Sequence, residues 1–189
     1  EGSSRPAAEL LEQAAAQLAE SDPERAALAE VRASQVWSSI LAWEQALAAA
    51  RRASELPFER GGKTELAVLL ALGDTAGWAG QIDEAVAFWR RAAPLADTDD
   101  PEQLQMAGEA LFSAGDDEHA LGVVERAELL ARERAALETL TTALLIRALC
   151  QMRIGDLQSA RANADECVSL MRAIGQQAVT NKMIGPANV

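Results

Sequence analysis

The sequence has little of the chemistry that most enzymes and metal-binding proteins use. Its 189 residues include no tyrosine, one histidine and two cysteines, and aromatic side chains make up 4%. The spacing of Cys150 and Cys167 matches no zinc motif and makes no disulfide framework, so both are expected to be small buried apolar residues. No secretory signal pattern opens the chain, and no apolar run approaches the roughly 20 residues of a membrane span. A cytoplasmic protein that makes no membrane contact is therefore expected.

Positive charge is also scarce, because 29 acidic residues outweigh 17 basic ones and give a net charge of −12. Lysine occurs only as Lys63 and Lys182. An acidic surface repels phosphate backbones and anionic lipid surfaces. The composition thus predicts no direct contact with nucleic acid by this segment.

The residues that are abundant favour helices. Alanine, leucine, glutamate, glutamine and arginine are good helix formers, and runs of β-branched or aromatic residues typical of strands are missing. Apolar residues make up 49% of the chain, which is enough to bury a continuous core. An all-α fold is predicted.

A short sequence motif recurs along the chain. It consists of a glycine turn, a polar pair or triplet, and an alanine near the start of an amphipathic helix. Glycine ends the first helix because it adopts positive φ without a Cβ clash, and alanine allows two antiparallel helices to approach closely. Asp83 or Asp116 could then cap the second helix. The copy at 41–46 lacks the glycine. The glycines are Gly80, Gly115 and Gly155, and the alanines are Ala46, Ala85, Ala120 and Ala160, at steps of 39, 35 and 40.

The preceding helix of each unit repeats as well, since Leu72-Gly73 stands to Ala85 as Ala107-Gly108 stands to Ala120. A leucine-glycine pair is part of the tetratricopeptide (TPR) pattern, whose period is about 34. The chain therefore resembles a TPR-like α-α superhelix, a solenoid of antiparallel helix pairs. The resemblance implies one repeat domain over 1–189, expected to be a fragment of a longer protein. Its units are 27–60, 66–99, 101–134 and 141–175, with partial units at 7–20 and 181–189.

Three motifs resemble known binding or catalytic motifs, but each lacks residues that the function requires. Gly62-Lys63-Thr64 matches the end of a phosphate-binding loop, but Pro57 occupies the place of the required first glycine, so a loop leading into a helix is favoured. The acidic run 97–100 lacks the glycine and glutamate of a calcium loop, and capping is favoured there. His119 has no assignable partner and is expected at the surface. We therefore predict no enzyme activity, no cofactor and no metal site.

The few tryptophans and phenylalanines lie mainly in the first three units. Trp43 and Trp89 fall at predicted core positions. Trp78 and Phe112 lie in first helices, where core packing and exposure in a ligand-binding groove are both open. First helices line the inner groove of a TPR superhelix, so a protein or small-molecule effector is expected there, and self-association is left open. The groove-facing candidates are Gln35, Ser38, Asp74, Trp78, Gln105, Glu109, Phe112, Met152 and Arg153.

The sequence of the later repeats is similar to the TPR-like region of large ATP-binding, MalT-like bacterial regulators of the LuxR family. The matching phrases are Glu125-Arg126-Ala127, Leu130-Ala131-Arg132, Gly155-Asp156, Gly175-Gln176 and the opening Asp22-Pro23-Glu24-Arg25-Ala26. The resemblance implies an ATPase domain before this segment and a helix-turn-helix after it, neither of which is present here. It also implies a sensor role for the segment. A stand-alone TPR adaptor that binds a peptide or partner protein is the alternative, and the full-length gene would distinguish the two.

Overall fold

The computed structural model describes residues 4–96 and 98–174. All regular secondary structure within those residues is helical, which confirms the predicted all-α class. A short 3-10 helix, Ala93–Ala96, follows the fifth α-helix. The α-helices are α1 (Ser4–Leu18), α2 (Pro23–Ser39), α3 (Trp43–Glu55), α4 (Lys63–Trp78), α5 (Ile82–Ala92), α6 (Pro101–Ser113), α7 (Asp117–Glu133), α8 (Leu137–Ile154) and α9 (Leu157–Ala173).

Helix starts follow local capping rules. The side chains of Asp22 and Asp100 accept hydrogen bonds from backbone N–H groups of α2 and α6, and proline holds the first helical position in both helices. Asp116 caps α7 in the same way. Asp83 does not cap α5, because Gln81 occupies that position and Asp83 lies in the first turn. There its negative charge still complements the helix dipole.

The turns within the helix pairs confirm the glycine prediction. Gly80, Gly115 and Gly155 have φ values of 80°, 82° and 90°, a region that side chains with a Cβ rarely adopt. Leu41 occupies the equivalent place, five residues before the repeat alanine, in the copy that lacks glycine. It adopts a φ of 61°, and its backbone is therefore strained.

The chain divides into two compact units at residues 95 and 96. In unit 1, α1 packs on α2, and α2–α3 and α4–α5 form the helix pairs, with α2 also touching α4. Glu12 of α1 accepts hydrogen bonds from the Trp37 indole (3.1 Å) and from Arg52, whose guanidinium also binds Glu30. An ion-pair network in which only Glu30 is buried thus joins α1, α2 and α3.

Unit 2 consists of the pairs α6–α7 and α8–α9, and its first helices, α6 and α8, pack against each other. Cys150 and Cys167 are both buried, as predicted, and the Cys167 thiol donates to the Thr141 carbonyl at 3.2 Å. Burial raises the pKa of Cys150 to about 11.

In the pairs α4–α5 and α6–α7, a glycine of the first helix lies against a side chain of the second helix. A Cβ on Gly73 would lie 2.4 Å from the Trp89 indole nitrogen, and a Cβ on Gly108 would lie 2.4 Å from Cγ1 of Val124. Trp89 and Val124 each come four residues after the repeat alanine. The two repeats are therefore equivalent in contact as well as in spacing.

Some predicted features lie outside the described residues, namely the Gly175-Gln176 phrase, the partial unit at 181–189, and Asp97 of the acidic run. Within the described part of the chain, no helix combines the length and apolar character that crossing a bilayer would require.

Candidate binding surfaces

Two tryptophan rings stack where the start of α3 meets the end of α4, and we call these rings, with the exposed Leu41 and Ile82 close to them in the sequence, the aromatic edge. Trp43 begins α3 and Trp78 ends α4, and their rings stack with centroids 5.3 Å apart and planes at 12°. Leu41 lies in the turn before α3, and Ile82 is the first residue of α5. The exposed fractions are 71% for Leu41, 68% for Trp78 and 58% for Ile82. Trp43 is half-buried and, as a packing residue, lies against the Trp78 ring.

The other predicted groove residues of unit 1 lie on α2 and α4, which touch each other. Gln35 is exposed, and the Ser38 hydroxyl donates to the Ser34 carbonyl of its own helix at 2.9 Å. The Asp74 carboxylate accepts from the Trp89 indole N–H at 3.1 Å. Burial raises the pKa of Asp74 from 3.8 to about 6, although the bond from Trp89 acts to lower it. Asp74 therefore fixes the Trp89 ring that packs on Gly73.

In unit 2 the structure brings together two of the predicted residues, Phe112 and Arg153. The Arg153 guanidinium carbon lies 3.7 Å from the centroid of the Phe112 ring. Arg153 also donates to the Phe112 carbonyl at 2.8 Å and to Asp117 at 2.9 Å. Met152 beside it is exposed. Phe112 is half-buried against the cluster around Val124, so it is a packing residue covered by a cation.

Gln105 and Glu109 lie one turn apart on α6, and the Gln105 amide donates to Glu109 at 3.1 Å. Gln105 is only 8% exposed, so its amide is satisfied within the unit and has little surface to offer a ligand. Of the nine predicted residues, Trp78 thus has the largest exposed aromatic surface.

The described residues of the three poorly matching motifs form a helix start, a helix cap and a surface side chain, as expected. Lys63 and Thr64 begin α4, and the Thr64 hydroxyl donates to Glu24 at 2.7 Å. Asp100 is a helix cap. His119 is on the surface, with its Nδ1 2.8 Å from Asp116. Among the described residues, no group of three His, Cys, Asp or Glu side chains is placed to hold a metal ion.

Sequence reasoning missed a concavity of about 570 Å³ in unit 1, bounded by α3, α4, α5 and the loop between α3 and α4. Val68, Leu69 and Leu72 lie beneath it with almost no exposed surface, and three arginines stand around it: Arg51, Arg60 and Arg91. The repeat pattern predicts contacts between the two helices of one pair. This cavity instead lies between α3 and α5, which are the second helices of two different pairs. The only sequence signal is the grouping of arginines at the ends of α3 and α5 in an acidic chain.

Comparison with known proteins identifies a fold and no family. No family model matches the chain, and no curated protein matches it. The TPR-like repeats of a protein described as a kinesin light chain from Podosopora anserina do match, at 17% identity over 94% of this chain and 90% of that chain, with a TM-score of 0.57. A point variant of that protein gives 0.59 at 16% identity, over 93% of this chain and 90% of that one.

YrrB, described as a TPR protein with an unusual peptide-binding site, aligns at 21% identity over 87% of this chain and 75% of its own, with a TM-score of 0.45. The two kinesin light chain structures carry the conclusion about the fold. This chain is an all-α protein built of TPR-like antiparallel helix pairs, as its sequence predicts.

Proposed function

We propose that this chain is a protein-interaction domain whose unit 1 binds a partner protein through the aromatic edge. The observation that supports this most directly is the exposed Trp78 ring stacked on Trp43. A tryptophan exposes a large apolar surface, and burying it on binding is strongly favourable. Few other side chains gain as much free energy from a partner.

The neighbours of Trp78 strengthen the proposal. Leu41, two residues before Trp43, and Ile82, four residues after Trp78, are also exposed, at positions where solvent-facing residues are ordinarily polar. Single exposed apolar residues are common, but contiguous groups mark sites of association. The stacking on Trp43 holds the Trp78 ring in one orientation, so little rotamer entropy is lost when a partner covers it.

The fold agrees with this proposal, because stacked helix pairs present extended surfaces to other proteins. The LuxR-like phrases support a more specific proposal, in which the segment is a cytoplasmic sensor of a transcriptional regulator and the partner or effector controls its ATPase. A stand-alone adaptor would use the same surface. The coding sequence on either side distinguishes the two: a Walker motif before the segment and a helix-turn-helix after it select the regulator.

The test compares two exposed apolar residues in different units. Proteins that co-purify with the wild-type chain are identified, and the affinity of the purified partner is measured by calorimetry for Trp78→Ala and for Leu129→Ala. Leu129 is exposed on α7 in unit 2 and serves as the matched control. We expect Trp78→Ala to weaken binding about 30-fold, the equivalent of about 2 kcal/mol at a hot spot, and Leu129→Ala to leave it unchanged.

Equal affinities of the wild type and Trp78→Ala would remove the basis of the proposal. Sedimentation of the purified chain tests self-association through the same surface, because a dimer that Trp78→Ala dissociates would identify the partner as a second copy.

A further inference from the structure

Most aromatic rings of this chain are covered by an arginine of the chain itself. The sequence contains four tryptophans and three phenylalanines. In four cases a guanidinium carbon lies 6.0 Å or less from the ring centroid: Arg5 on Trp37, Arg60 on Phe58, Arg91 on Phe88 and Arg153 on Phe112. A cation over the face of an aromatic ring is attracted by the electrons of the ring. An arginine on a ring face is therefore a recurrent contact in this molecule.

Trp78 differs from those four rings because one of its faces has no such cover. Its stacking partner Trp43 lies on one face, with the two planes at 12°. The residue is nevertheless 68% exposed, which requires that the opposite face is open to solvent. No arginine or lysine in the part of the chain that the structure describes lies over that open face. The open face of Trp78 is therefore available to a cation from another molecule.

The charges close to Trp78 also favour a cation. Glu44 lies in the first turn of α3, the turn whose tryptophan stacks on Trp78, and Asp83 lies in the first turn of α5. Both carboxylates are exposed, and neither has a hydrogen-bond or ion-pair partner among the described residues. Glu84, by contrast, lies 3.6 Å from Arg51 and is neutralised by it. Two unbalanced negative charges thus remain here, in a chain whose net charge is −12.

Two other kinds of partner fit this surface less well. A nucleic acid or an acidic protein would be repelled by the carboxylates and by the net charge of the chain. A partner that offers only apolar side chains would cover Trp78, but it would also remove water from Glu44 and Asp83 without replacing it, which is unfavourable. An arginine avoids both costs, because its planar guanidinium stacks on an aromatic face and keeps N–H groups for nearby acceptors.

We infer that the partner of the aromatic edge is a protein with a basic segment, in which an arginine stacks on the open face of Trp78 in the field of Glu44 and Asp83. This inference rests on the proposed function, because it specifies the partner of the same surface. The partner's arginine makes between two molecules the contact that Arg153 makes with Phe112 within the chain. The opposite charges of chain and segment also speed their association.

The probe is a short peptide, acetyl-Gly-Leu-Arg-Leu-Arg-Gly amide, compared with the same peptide in which citrulline replaces both arginines. Citrulline has the length and planar end group of arginine but no charge, so the two peptides differ only in the cation. The whole isotope-labelled chain is titrated with each peptide, and nuclear magnetic resonance follows the indole N–H of Trp78 and the backbone amides of residues 79–82. We expect the arginine peptide to bind at least about fivefold more tightly, the equivalent of about 1 kcal/mol.

Variants of the chain separate the ring from the charges. Trp78→Leu keeps an apolar side chain without a ring and should abolish the preference for arginine over citrulline. Glu44→Gln combined with Asp83→Asn should weaken binding of the arginine peptide about threefold at low salt and leave the citrulline peptide unaffected. The control is Glu20→Gln combined with Glu59→Gln, which alters the net charge equally at exposed carboxylates in the loops after α1 and α3. It should bind both peptides like the wild type.

Four results would each overturn the inference: no resonance shift with the arginine peptide up to about 20 mM, equal affinity for the two peptides, a preference for arginine that survives Trp78→Leu, or equal losses in the two carboxylate pairs. The proposed function is tested separately, by the effect of Trp78→Ala on the affinity of the purified partner. If Trp78→Ala weakens that partner while the wild type does not distinguish arginine from citrulline, the surface binds a partner of other chemistry and only this inference fails.

Discussion

Replacing Gly108 with alanine tests how closely the helices of a repeat must pack. The new Cβ would lie 2.4 Å from Cγ1 of Val124, whereas ordinary contacts begin at about 3.4 Å. Val124 is fully buried and packs with Ile146 and Cys150 of α8. Its β-branched side chain has few alternative rotamers, so it cannot turn aside without moving its neighbours.

Two effects of opposite sign determine the result. Alanine in a helix is favoured over glycine by up to about 1 kcal/mol. Overpacking of a close contact costs about 1–3 kcal/mol. Gly122 on α7 provides the first effect without the second, because a Cβ there meets no atom within 4 Å. The free energies of unfolding of Gly108→Ala and Gly122→Ala should therefore differ by about 1–3 kcal/mol.

Urea denaturation followed by far-UV circular dichroism measures both variants. We expect Gly122→Ala to be slightly more stable than the wild type and Gly108→Ala less stable. Adding Val124→Ala to Gly108→Ala removes the clash, and the double-mutant cycle should show a favourable coupling of at least about 1 kcal/mol. If Gly108→Ala proves as stable as Gly122→Ala, the tight glycine contact does not limit packing in this repeat, and our reasoning is refuted.

Two further predictions concern unit 1. Leu41→Gly relieves the backbone strain at φ of 61° and should raise the free energy of unfolding by about 0.5–1 kcal/mol, as measured by urea denaturation. The converse change, Gly80→Ala at φ of 80°, should lower the free energy of unfolding by about 1 kcal/mol or more. If both substitutions changed this free energy in the same direction and by the same amount, a role for positive φ would be contradicted. Asp74 has a folded-state pKa of about 6 against 3.8 for the unfolded chain, so its contribution to stability is complete below pH 3.8 and is lost as the pH rises through 6. Asp74→Asn keeps an acceptor for Trp89 without the charge, so its stability relative to the wild type should increase between about pH 4 and about pH 8 by up to about 3 kcal/mol. A difference that does not change with pH would show that Asp74 is not protonated by burial.

The features that could be predicted from the sequence are local ones. The turns at Gly115 and Gly155 depend on a backbone conformation that strongly favours one residue type, and the caps at Asp22 and Asp100 depend on three or four neighbouring residues. These signals fixed the helix ends and the pairing of helices within each repeat. Among the described helix pairs, the turn at the strained Leu41 is the one that the glycine rule does not cover.

Surface features could be predicted only in part, because residues distant in the sequence decide them. Trp78 and Phe112 lie near the same place in their repeats, twelve residues after the start of unit 66–99 and eleven after the start of unit 101–134. Yet Arg153, from the next helix pair, covers Phe112, whereas Trp78 stacks on Trp43, from the preceding one. The side chains that contact Trp78 and Phe112 come from neighbouring helix pairs, so a single repeat does not contain the information that decides how exposed each ring is. The cavity next to Arg91 escaped prediction for the same reason, since its walls come from three helices and a loop.

The positions of the tryptophans have a practical consequence for the study of folding. All four tryptophans precede residue 95: Trp37, Trp43, Trp78 and Trp89. Tryptophan fluorescence therefore comes entirely from the first compact unit, and the second unit contributes none. Circular dichroism detects the helices of both. Recording the two signals in one titration would therefore show whether the halves of the molecule melt in a single step or one after the other, without any label.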